Sequence, residues 1–188
     1  MDQAELMTSA EREFGVRLAN VTPDQWDLLT NCGEWTVRDL ANHVIGANRM
    51  STVLLAGGDR AAGIAQLAQS DDDADPVQAF ADSSAAQARA FAAPGAMAAT
   101  VAHPVGDIPA GQLFEFRLID LTVHGWDLAI STQQDPTLDP ALVEVLWERL
   151  APRASHLSST GVFGAGASGT VPQDAPLQAR LLDILGRS

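Results

Sequence analysis

Two short stretches of this chain carry side chains that can hold and activate something. Between Ala110 and about Thr132, the residues Arg117, Asp120, His124 and Asp127 recur at spacings of three, four and three. Wound as an α-helix at 100° per residue, they fall within about 80° of one another, a narrow polar stripe. Asp120 and His124 stand at i and i+4, where Cβ atoms are roughly 5 to 6 Å apart. A carboxylate and an imidazole so placed can converge on one divalent ion with bonds of about 2.0 to 2.2 Å. The same spacing also describes the solvated face of an ordinary amphipathic helix. A second polar strip, Glu115 and Thr122, lies nearly opposite, and both flanks between the strips are apolar, with Leu118, Leu121 and Leu128 on one and Ile119, Val123 and Trp126 on the other. Only one strip need face water.

A third candidate ligand comes from a second helix. His43 shares a face with Leu40, Ala47, Met50 and Leu54, while Arg38, Asn42 and Arg49 cluster elsewhere, so the imidazole is expected to point inward. A single inward histidine is usually a core residue satisfied by one hydrogen bond. Facing helices lie about 8 to 10 Å apart, a gap that one histidine from one side and a histidine plus a carboxylate from the other can span around an ion. Asp127 is placed to accept a proton from a ligand histidine. Arg117 is placed to pair with a carboxylate or an anionic substrate. Cys32 has the chemistry of a fourth ligand or a reactive thiol but reads first as a small buried hydrophobe, Trp35 and Trp126 as packing ahead of substrate stacking, and His103 and His156 as ordinary surface residues.

The elements that must position these groups are helical. Leu6, Ala10, Phe14 and Leu18, four apart, predict a first helix over Asp2 to Asn20. Thr36 and Asp39 have capping-box spacing and start a second helix that runs to about Ala56, where Gly57 and Gly58 stop it. The Asp-rich stretch from Asp71 to Asp75 reads as a solvated loop, and Pro76 opens a third helix carrying Val77, Phe80, Ser84, Ala88 and Phe91 on one side. Thr100 to Ala102 is β-prone but short, within a connection between Pro94 and Pro109. The fourth helix is the ligand-bearing one. A fifth follows from Asp139 and Pro140 to about Leu150, then the glycine-rich GVFGAGASGT, then a last short helix from Pro176 to Leu185.

At 188 residues the chain reads as one domain, residues 1–188, able to bury a core without disulfides. Its 24 acidic and 11 basic side chains leave a net charge of −13, which disfavours nucleic acid and anionic membrane surfaces as partners. One cysteine cannot form an intramolecular disulfide, and the acidic, polar start differs from a basic-then-apolar leader, so a cytoplasmic location is expected.

The stretch Cys32, Trp35, Thr36, Val37, Arg38, Asp39, Leu40, His43 resembles the C-x-x-W-T-V-x-D-L-x-x-H signature of the DinB-like metal-binding family, in particular the N-terminal metal-binding domain of mycothiol-dependent maleylpyruvate isomerase. Asp120, His124, Trp126, Asp127 and Leu128 likewise resemble that family's carboxylate-x-x-x-H-x-W-D-L signature. The resemblance implies an all-α, antiparallel four-helix bundle with a small C-terminal helical extension. It also implies a divalent ion, commonly zinc or nickel, whose ligands fall here on His43, Asp120 and His124. The isomerase has Glu where this chain has Asp120, one methylene shorter. For some members the resemblance implies reactions of a low-molecular-weight thiol such as mycothiol.

Two neutral imidazoles and a carboxylate leave a divalent ion formally at +1 with open positions. The expected function is therefore a thiol-dependent S-transferase or isomerase, taking a small-molecule thiol and an electrophile. The alternatives are a non-catalytic metal-binding or stress-response protein and a metal-assisted hydrolase. Apolar helix flanks are compatible with a homodimer.

Overall fold

The computed structural model describes residues 2–69, 75–154 and 166–187. Of the expected acidic loop only Asp75 falls within them; the first part of the glycine-rich stretch and His156 lie outside.

Local sequence chemistry sets the helix starts. α1 (Gln3–Ala19) opens on a capping box, in which Glu5 N donates to Asp2 Oδ1 at 2.9 Å and Asp2 N to Glu5 Oε2 at 2.8 Å. α2 (Val37–Leu55) opens on the predicted Thr36–Asp39 box, with Asp39 N donating to Thr36 Oγ1 at 3.2 Å and Thr36 N to Asp39 Oδ2 at 2.9 Å. α4 (Pro76–Ala92) starts at Pro76 under an Asp75 cap. α5 (Ala110–Ser131) runs unbroken over the predicted span.

Two elements go beyond the sequence reading. α3 (Arg60–Leu67), capped by Asp59, follows α2 at once. Its apolar residues are mostly small or exposed, so no periodic face announces it. It is held by close approach to α2: a Cβ on Gly46 would lie 2.8 Å from the Gln66 carbonyl oxygen, a spacing that only glycine permits. The β-prone piece is one arm of an antiparallel hairpin, β1 (Thr100–His103) with β2 (Gly106–Pro109), in which buried Val101 pairs with buried Ile108. The second arm, Gly-Asp-Ile-Pro, carries turn residues at both ends and hides its strand character.

In the unit Asp2–Pro136, α1 packs on α4 and α5, and α2 packs on α3, α4 and α5. Their apolar faces meet in a core that includes the predicted Leu6, Ala10, Phe14 and Leu18 of α1 and Leu40, Ala47, Met50 and Leu54 of α2. On α4 the buried side is Phe80, Ser84, Gln87 and Phe91, whereas Val77 and Ala88 are exposed. The result is a mostly helical, bundle-like fold with a small hairpin. The second unit, Thr137–Ser188, contains α6 (Pro140–Leu150) packed on α7 (Leu177–Ile184), with the Arg180 guanidinium 4.3 Å from the Trp147 ring centroid. Among the described residues no helix is long and apolar enough to cross a membrane.

Candidate functional site

The polar stripe of α5 is buried at three of its four residues and half-buried at Asp120. Arg117 is 2% exposed, Asp127 0% and His124 8%, so it is not the solvated face that the spacing alone also allowed. Such burial demands partners for every charge. Arg117 finds them on three helices: Nε donates to Gln87 Oε1 of α4 at 3.0 Å, Nη2 to Asn48 Oδ1 of α2 at 2.8 Å, and Nη1 to Asp120 Oδ2. Asn48 in turn donates to Ser83 and Ser84 at 3.2 and 3.1 Å. The guanidinium thereby fixes one oxygen of Asp120 and leaves the other turned toward the histidines.

That second oxygen, Asp120 Oδ1, lies 3.2 Å from His43 Nε2 and 3.3 Å from His124 Nε2. The two imidazoles meet edge to face, with ring centroids 5.2 Å apart. Three potential ligand atoms thus surround a single point. Donors about 2.05 Å from a shared tetrahedral ion are about 3.3 Å from each other, which the two spacings from Asp120 Oδ1 match, and all three atoms lie within 4.8 Å of one another. The donor set, two imidazoles and one carboxylate, suits zinc or nickel.

The tautomer of His124 is set from behind. Its Nδ1 is 2.9 Å from Asp127 Oδ2, and a carboxylate can only accept, so Nδ1 carries the proton and Nε2 faces Asp120. In the metal-free chain, burial pushes the Asp120 carboxyl up, but the positive charges of His43, Arg117 and His124 outweigh it and hold the group well below the usual carboxylate range. Burial likewise pulls His124 down, and the Asp120 charge with hydrogen bonds to Asp120, Asp127 and Cys32 overrides it, leaving the imidazole well above its ordinary value. An ion held by these groups would therefore take the place of the proton that His124 Nε2 otherwise directs at Asp120.

Two further residues join the site from the segment before α2. Thr30 N and Oγ1 both donate to the Trp35 carbonyl at 2.8 Å, and Gly33 takes φ +72°, a left-handed conformation suited to glycine, to close the turn. The turn brings Cys32 Sγ to 3.1 Å from Asp127 Oδ2, to which it donates, and to 3.8 Å from His124 Nδ1. It also lays the exposed Trp35 ring 4.8 Å from the His43 ring and 6.0 Å from that of His124, centroid to centroid. Cys32, read from sequence as a buried hydrophobe, is half-buried and hydrogen-bonded here. Its place in the motif that includes His43 was the available signal. His103 lies in β1, with its Nδ1 accepting from Val105 N at 3.3 Å, away from these residues in the hairpin.

Residues 7–129 match the family model described as the mycothiol maleylpyruvate isomerase N-terminal domain, a span that contains His43, Asp120, His124 and Asp127. Two uncharacterized proteins of Mycobacterium tuberculosis, from strains CDC 1551 and H37Rv, are each 35% identical over 192 aligned positions, covering 100% of this chain and 99% of theirs. Among solved structures, the crystal structure of the mycothiol-dependent maleylpyruvate isomerase superposes with a TM-score of 0.64 at 16% identity, over 88% of this chain and 72% of that one. A histidine-to-alanine mutant of the same enzyme superposes at 0.59. At that identity the likeness is one of fold, while the family model reaches the motifs themselves. The chain belongs to the mycothiol maleylpyruvate isomerase N-terminal domain family.

Proposed function

We propose that this chain binds one divalent metal ion through His43 Nε2, Asp120 Oδ1 and His124 Nε2, on an antiparallel four-helix bundle of α1, α2, α4 and α5, and uses it in S-transfer or isomerisation dependent on a mycothiol-type thiol. The observation that carries this reading is the position of Asp120 Oδ1, 3.2 and 3.3 Å from two imidazole nitrogens while its other oxygen is held by Arg117. Membership of a family named for a mycothiol-dependent isomerase supports the thiol as co-substrate. Zinc or nickel held there supplies Lewis acidity that keeps a bound thiol ionised near neutral pH and ready to attack an electrophile. The residues of the chain do the rest. Arg117 stops Asp120 from rotating, Asp127 holds the His124 Nδ1 proton, and Trp35 covers one side of His43 so that the approach is narrowed.

Chelation tests the role of the ion directly. The metal-free chain is expected to keep its helical circular dichroism, because its core is large enough to stand alone, and to lose turnover with a panel of thiols and electrophiles. Helicity lost along with the metal would mark a structural ion, and turnover surviving its removal would end the Lewis-acid reading.

Asp127→Asn is expected to weaken metal binding by about 10- to 100-fold, the usual cost of losing the carboxylate behind a ligand histidine. Competition with a chromophoric chelator measures this. Unchanged affinity would show that Asp127 does not orient His124.

A further inference from the structure

One half-buried carboxyl of the bundle takes no part in the proposed centre. Glu11 of α1 lies in a cavity of about 190 Å³ walled by Met7, Phe91, Met97 and Phe114, with Ala88 at its edge. Met7, Phe91 and Phe114 are buried, Glu11 and Met97 are half-buried, and Ala88 is exposed, so the space opens to solvent over an apolar floor. Among the described residues that line it, Glu11 is the one ionisable side chain.

We propose that this cavity binds a compact amine, a single aromatic ring or short alkyl body on a one- or two-carbon arm, whose ammonium group pairs with Glu11. Size, wall chemistry and charge each point the same way. A protein cavity of about 150 Å³ lined by apolar side chains accommodates benzene, so the space here takes one ring and a short arm. Two methionines beside two phenylalanines give walls that adapt to a ring and favour sulfur–aromatic contact. The carboxyl selects the head group. Glu11 Oε1 accepts from Gln87 Nε2 at 3.1 Å, and Gln87 cannot turn its amide around, because its Oε1 is committed to Arg117 Nε at 3.0 Å. One hydrogen bond leaves most of the accepting capacity of a carboxylate unused.

Burial raises the Glu11 carboxyl to about 7, against the lowering effects of the Gln87 hydrogen bond and the Arg117 charge. A cation arriving beside it relieves that cost, whereas an anion meets Glu11 and the net charge of −13. This inference stands apart from the metal reading, since none of His43, Asp120 or His124 lines the cavity.

The probe is benzylamine, with toluene and phenylacetate as neutral and anionic controls, titrated into the full chain at pH 8 and followed by calorimetry and by the methyl resonances of Met7 and Met97. Saturable one-to-one binding is expected, with both methyl resonances shifted. Glu11→Gln is expected to weaken benzylamine at least tenfold and to change toluene less than twofold. Ala88→Phe, at the exposed edge of the cavity, is expected to weaken both. Affinity for benzylamine should fall as pH drops through about 7, because Glu11 protonates while the amine stays charged. Arg117 of α5, the charged group acting on Glu11, keeps its charge over that range, and α4 presents the neutral Gln87. In Glu11→Gln the pH profile should be flat. Absence of saturable binding, equal benzylamine affinity in wild type and Glu11→Gln, or phenylacetate binding as tightly as benzylamine would each overturn the proposal. None of these outcomes bears on metal content, which is measured separately.

Discussion

His43→Ala and His124→Ala are each expected to weaken zinc binding by roughly a hundredfold or more, with helical circular dichroism retained. In zinc-finger sites about 10 to 16 kcal/mol of zinc-binding free energy is shared among four protein ligands, about 3 kcal/mol for each, and about 2.8 kcal/mol is a factor of a hundred. The two positions differ in what they leave behind. His43 comes from α2 at the partly exposed side of the site, and its loss removes a proposed ligand and the ring beside which Trp35 lies. His124 is buried, and its loss also takes a hydrogen-bond partner from Asp127, which keeps the Cys32 thiol as a donor. Both variants should fold, because the apolar core of α1, α2, α4 and α5 does not depend on either imidazole. Metal content after dialysis against buffered zinc, read beside a thermal melt, separates loss of the site from loss of the fold. Full occupancy in both variants would remove the assignment.

Arg117→Met should destabilise the metal-free chain by about 3 to 5 kcal/mol, the range found when one member of a buried ion pair is removed. The substitution leaves Asp120 without its guanidinium partner and strips donors from Gln87 Oε1 and Asn48 Oδ1, both of residues that are fully buried. Methionine fills much of the volume, so the cost reports charge and hydrogen bonds more than cavity. Removing the carboxylate as well, in Arg117→Met with Asp120→Leu, should recover a large part of the loss, since a buried pair replaced by apolar groups is often nearly neutral. Urea unfolding of the four proteins closes this cycle. The pH dependence has a definite sign. Asp120 is held below the usual carboxylate range in the folded chain, so its contribution is present above that range and lost as pH falls through the folded value. Wild type and Arg117→Met should therefore differ most near neutrality and converge in acid. A cost under about 1 kcal/mol would show that the guanidinium network is dispensable.

Local pattern alone specified the longer helices and the residues that α5 can bring together. Helical geometry is fixed at 3.6 residues per turn, so Leu6, Ala10, Phe14 and Leu18 had to share a face, and Arg117, Asp120, His124 and Asp127 had to form one stripe. The Thr36–Asp39 box and Pro76 after Asp75 marked helix starts because capping is a local exchange of hydrogen bonds. Local rules could not say whether the polar stripe of α5 faces water or the core. That was decided by α2 and α4, which deliver Asn48 and Gln87 to the Arg117 guanidinium and so allow a charge to be buried. Nor could spacing bring Cys32 to Asp127, 95 residues away, because its position depends on a turn closed by Thr30, Gly33 and Trp35. α3 and β2 were hidden for a related reason: each is stabilised by the surface it docks on, Gly46 of α2 in one case and the Val101 strand in the other, rather than by a pattern of its own. Packing between elements distant in sequence, with the requirement that each buried charge be paired, brought a stripe on one helix and a histidine on another into one group of three potential ligand atoms.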